Sequence, residues 1–178
     1  GTVYASLVYN RVIIAHLGLV GAYAIPFLLS DNSGRYFVLF TYITIINAGI
    51  LVLAFRKYWK SLFYSAFSLT WVIYIIWYLA YYDNPHFTIA FVFSSIFFLS
   101  FYGTFLAYKL VKKERYGAED VAVLLSNAFI FYALGYNTLV ESDAYYEDTG
   151  VFTIINAAIH FGISQLIGRV AWEEGITD

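Results

Sequence analysis

Six long apolar runs, separated only by short polar stretches, leave this chain very few ways to fold. They are Val12 to Leu29, Tyr36 to Phe55, Ser61 to Tyr82, Phe87 to Leu110, Val121 to Val140 and Val151 to Ile167. A hydrocarbon layer about 30 Å thick is crossed by about 20 apolar residues in a helix. Barrel strands would alternate apolar and polar residues at every second position, whereas WVIYIIWYLAYY is apolar throughout. Composition agrees: 61% of residues are hydrophobic, 22% aromatic and only 12% charged, against about 25% charged in soluble domains. The expected fold class is all-α, a polytopic transmembrane helical bundle of about six spans.

The charges set an orientation. Arg56, Lys57 and Lys60 lie between the second and third runs, and Lys109, Lys112, Lys113 and Arg115 between the fourth and fifth. With Arg11 and Arg169 they place nine of the ten basic residues on one side, and only Arg35 opposite. Positive charge favours the cytoplasmic side, so both ends are expected inside, in a bacterial inner membrane. RKYWK and KLVKKERY read as anchors at anionic lipid, and their spacing offers no nucleic-acid motif. His86, in an outer loop, reads as solvated.

One short word occurs twice: Thr44 to Gly49 reads TIINAG and Thr153 to Ala158 reads TIINAA. Both copies lie in runs that cross in the same direction, which implies a parallel internal repeat, an arrangement also found among carriers. The chain has no cysteine, which excludes disulfides and thiolate chemistry, and no methionine. The missing start residue and the span-like GTVYASLVY at the beginning suggest that residues 1–178 form a single module of a longer chain, with WEEGITD as an internal loop.

The run HLGLVGAYAIPFLLS, followed by FTYITIINAGILVLAFRKYW, resembles a large family of uncharacterised multispanning bacterial membrane proteins, a domain of unknown function. Its members carry glycine-glycine-aromatic, then proline, then a leucine pair at the end of one span, and a leucine-asparagine-leucine-glycine stretch in the next. Gly21 matches the first glycine, and Ala22 stands at the second. The resemblance implies membership and many spans, with no assigned activity.

Several polar residues lie inside the runs. Thr153, Asn156, His160 and Ser164 form one stripe along the sixth helix, and Thr41, Thr44 and Asn47 a shorter one on the second. Unsatisfied polar groups facing hydrocarbon are costly, so both stripes are expected to turn inward. They either bind helices together or line a pathway or ligand pocket. His160 is the sharpest single residue, because an ionisable side chain in a span is a functional hypothesis by default. Haem ligation by His16 and His160 is disfavoured, because their depths differ by roughly 10 Å. Gly18, Gly21 and Ala22 would let another helix approach closely. Pro26 would kink the first helix, or end it near Ile25, and could free backbone groups for binding.

No acidic residue lies well inside any run, and the residues offer no assembled pairing of a nucleophile with a base. Ser94, Ser95, Ser126 and Asn127 read as packing or back-bonding groups. Trp71 and Tyr74 lie too deep for an interfacial belt and are expected to pack. An enzyme is therefore disfavoured, and no metal or cofactor is implied. Two roles remain: a transporter- or flippase-like module for an envelope or lipid-linked substrate, with the two stripes facing a shared cavity, or a membrane scaffold. The partners expected are membrane lipids, a lipid-linked or small-molecule substrate and further helices of the parent chain.

Overall fold

The computed structural model describes residues 12–28, 35–57, 59–112 and 117–173, and among them all regular structure is helical. The described residues form six α-helices in succession: α1 (Val12–Leu28), α2 (Tyr36–Lys57), α3 (Lys60–Tyr81), α4 (Phe87–Lys112), α5 (Ala118–Val140) and α6 (Thr149–Glu173). Short 3-10 turns at Asn84–His86 and Tyr146–Asp148 precede α4 and α6. The segments Tyr36–Lys57, Lys60–Tyr81, Asn84–Lys109 and Ala118–Val140 are long and apolar enough to cross a membrane, and the 17-residue α1 is shorter. Each apolar run coincides with one helix.

The exposed faces of these helices are greasy in a regular way. Ile13, Leu17 and Val20 on α1, Val38, Ile45 and Val52 on α2, and Val72, Ile76 and Leu79 on α3 are all exposed. Their spacings of three, four and seven put each set on one side of its helix. Water-facing helices carry polar residues there, so these stripes are suited to lipid.

The chain divides into two compact units. One takes in α1, α2 and α3 with Leu99–Thr104 of α4, and the other takes the rest of α4 with α5 and α6. The first unit packs around rings. Phe40 meets Trp77 edge-on at 4.8 Å and Tyr74 at 5.3 Å, while Phe63 and Phe67 both present edges to Phe101. Trp71 and Tyr74 are fully buried, as their depth in the run requires. In the second unit Phe98 stacks on Phe131 at 4.4 Å, and Phe152 packs against Phe91, Phe131 and Tyr132.

Several helices extend past their apolar runs, and between α4 and α5 the extension has a polar cause. The fourth helix continues to Lys112 and the fifth begins at Ala118, three residues before its apolar run. Lys109 is not a solvated anchor: it is buried and ion-paired with the buried carboxylate of Asp120. The Gly117 N–H also donates to Asp120 Oδ2 at 3.0 Å, so the same carboxylate caps α5. His86 is likewise paired with Asp83 rather than simply solvated.

Candidate functional site

Asn47 lies at the centre of the first unit, 2% exposed. Its Oδ1 accepts a short hydrogen bond from the Tyr23 hydroxyl of α1, and its Nδ2 donates to Thr70 Oγ1 of α3 at 2.9 Å. Tyr23 Oη and Thr70 Oγ1 are themselves 2.7 Å apart. Each hydroxyl has one proton, and one assignment lets every member of the ring both donate and accept. Tyr23 donates to Asn47, Asn47 to Thr70, and Thr70 back to Tyr23. The carbonyl of Ala66, 2.8 Å from Thr70 Oγ1, offers that last proton a second acceptor. The ring ties three helices at one point, and its members are all buried.

Thr44, one turn earlier, is half-buried, and its hydroxyl donates to the Phe40 carbonyl of its own helix at 2.8 Å. On α1, Pro26 has no N–H, so the carbonyl four residues earlier, that of Ala22, lacks its helical donor. The Tyr42 hydroxyl of α2 donates to that carbonyl at 3.0 Å, and α1 continues past Pro26 to Leu28. The backbone acceptor that Pro26 frees is therefore engaged within the protein. Gly18 is half-buried, while Gly21 is exposed, and a Cβ built there would meet open space.

This arrangement predicts a specific non-additivity. Tyr42→Phe should lower stability by about 1–3 kcal/mol by orphaning the Ala22 carbonyl. In a Pro26→Ala background, where the restored N–H reaches the same carbonyl, Tyr42→Phe should cost well under half as much. Unfolding in mixed micelles of the four proteins of this cycle measures the difference directly.

The second copy of the word is built differently. Asn156 is 5% exposed, and its Nδ2 donates only to the Phe152 carbonyl of its own helix, at 2.9 Å. Its Oδ1 is buried and finds no hydrogen-bond partner among the described residues. Flipping the amide would turn that oxygen onto the Phe152 carbonyl, so the assignment follows from the contacts. Thr153 donates to the Thr149 carbonyl at 2.8 Å and lies 3.1 Å from the Tyr132 hydroxyl of α5. His160 is half-buried, with its ring edge-on to Phe98 at 6.1 Å, and Ser164 is exposed. The polar stripe of α6 thus turns inward at Asn156 and is solvent- or lipid-facing by Ser164. His16 bonds the Val12 carbonyl of its own helix. Ser94 and Ser95 both back-bond to the Phe91 carbonyl, while Asn127 reaches across to the Phe98 carbonyl at 3.1 Å.

Sequence reasoning found both asparagines but missed Tyr23, Thr70, Tyr132 and the Lys109–Asp120 pair. A signal for the tyrosines was present. Tyr23 precedes Asn47 by 24 residues, and Tyr132 precedes Asn156 by the same interval.

An all-α chain with four helices fit to cross a bilayer, apolar outer faces and polar groups gathered inside is a helical membrane protein. It belongs to the family described as Predicted membrane protein (DUF2339), which matches residues 1–172. Comparison with curated proteins and with solved structures gives no match.

Proposed function

We propose that this chain acts as a non-catalytic membrane scaffold, a multi-pass module of a bacterial inner membrane whose internal polar residues hold helices in register. The observation that carries this reading is the closed ring of Tyr23, Asn47 and Thr70, in which each side chain both donates to and accepts from another. The ring is buried and its bonds run between three helices, which is what holding a register requires. Its partners are membrane lipids and other transmembrane helices. The parallel repeat fits this role, and the shared tyrosine-to-asparagine interval extends it beyond the five-residue word.

A transporter- or flippase-like role is the second reading, favoured by the unmatched Asn156 Oδ1. One variant separates the two. Tyr23→Phe/Asn47→Leu/Thr70→Val removes every partner together, so its stability should stay near wild type. Under the scaffold reading it also complements a chromosomal deletion. A folded triple variant that fails to complement moves the first unit from scaffold to pathway.

Orientation follows from the basic residues. Even with Lys109 set aside as paired, eight basic residues lie on the side assigned to the cytoplasm and one opposite. The chain has no cysteine of its own, so single introduced cysteines report cleanly. In intact cells an impermeant maleimide should label Glu147→Cys and spare Arg56→Cys; the reverse pattern inverts the topology.

A further inference from the structure

In the second unit a buried acceptor has no donor among the described residues, and the tyrosine at the matching interval is engaged one helical turn away. Asn156 Oδ1 is buried and unmatched among the described residues. Tyr132, at the interval that joins Tyr23 to Asn47 in the first unit, instead meets Thr153. Thr153 does not depend on it, because its own hydroxyl already donates to the Thr149 carbonyl. Moving the tyrosine proton from Thr153 to Asn156 would therefore satisfy the asparagine and orphan neither residue. A buried polar group left unsatisfied is costly, above all within a membrane.

Packing opposes that exchange. The Tyr132 ring lies nearly parallel to Phe152, and Phe152 seats its tip on Gly135, where a Cβ would come within 2.6 Å of it. The stacked rings and the seat on Gly135 together favour the observed position of the tyrosine. Thr153 and Asn156 are three residues apart on one face of α6, so a slide of that helix by three residues would bring Asn156 to the tyrosine. We propose that α5 and α6 form a two-position register device, in which Phe152 on Gly135 holds the observed register and a Tyr132–Asn156 hydrogen bond holds the other. One-turn ratchets of this kind arise because packed helices have discrete rather than continuous arrangements. In the second position α6 has moved toward its own N-terminal end by about 4.5 Å, at 1.5 Å per residue. The device is independent of the scaffold reading, since it concerns only contacts between these two helices.

The cysteine-free chain suits a spin-label test, with labels at the exposed Val121 on α5 and Val151 on α6. Because the helices are antiparallel neighbours, the slide carries residue 151 away from residue 121. Gly135→Ala evicts Phe152 from its seat, so the label distance in the full chain should lengthen by about 4–5 Å in part or all of the population. Adding Asn156→Leu removes the competing acceptor and should abolish the lengthening. Phe152→Leu vacates the seat without overfilling it and reads the same equilibrium if Gly135→Ala does not fold. An unchanged distance in a folded seat variant, or a lengthening that survives Asn156→Leu, overturns the proposal.

Discussion

Asp120→Ala should lower the unfolding free energy by about 3–5 kcal/mol, because it takes from the buried Lys109 ammonium the carboxylate it pairs with. Both side chains are almost wholly excluded from solvent, at 3% for Lys109 and 1% for Asp120. An exposed ion pair of the same composition would contribute at most about 1 kcal/mol, so burial decides the magnitude. The carboxylate also accepts the Gly117 N–H at the start of α5, which adds the loss of a helix cap to the loss of the pair.

The two contributions can be separated. Asp120→Asn keeps an oxygen for the Gly117 N–H and removes only the charge, so most of its cost comes from the weakened pairing of the buried lysine. Adding Lys109→Met removes that lysine and should recover stability to within about 1–2 kcal/mol of wild type, since buried pairs replaced by apolar groups of similar size are often neutral. Unfolding of the three variants in mixed micelles gives the comparison. If Asp120→Asn were as stable as the wild-type protein, the pair would be solvated and the packing of α4 against the start of α5 would need another cause.

How far this fold is legible in the sequence depends on the range of the interaction. Helix positions follow from apolar runs about as long as a bilayer is thick, a property of neighbouring residues, and all six runs became helices. Partners across helices depend on register, which no local pattern carries. Asn47 stood out as a polar residue in an apolar run, but Tyr23 was one of 18 tyrosines, and its role follows from the way α1 lies beside α2. Pro26 announced a carbonyl without a donor, yet nothing near it in sequence pointed to Tyr42. Lys109 belongs to a basic stretch that reads as an anchor at anionic lipid, and only the start of α5 at Gly117 shows that Asp120 turns inward to meet it. Asn156 shares its word with Asn47, and the word could not show that one copy would be satisfied and the other not.

Trp71→Ala and Leu79→Ala, two truncations on α3, should differ by several kcal/mol, in a way that tests whether packing or solvent transfer stabilises this protein. Trp71 is 2% exposed and meets the Tyr74 ring edge-on at 5.8 Å, while Leu79 is 80% exposed on the apolar outer face. Removing the indole opens a cavity that the surrounding rings can refill only in part, and about 3–5 kcal/mol should be lost. Leu79 is different because lipid chains are as apolar as leucine, so its side chain gains nothing by leaving them and loses little by being shortened. Leu79→Ala should stay within about 0.5 kcal/mol, the range of a surface change that touches no packed group. Equal and large losses would mean that the outer stripe of α3 is covered by another helix rather than by lipid. Equal and small losses would mean that the ring cluster around Tyr74 repacks freely into the space the indole leaves.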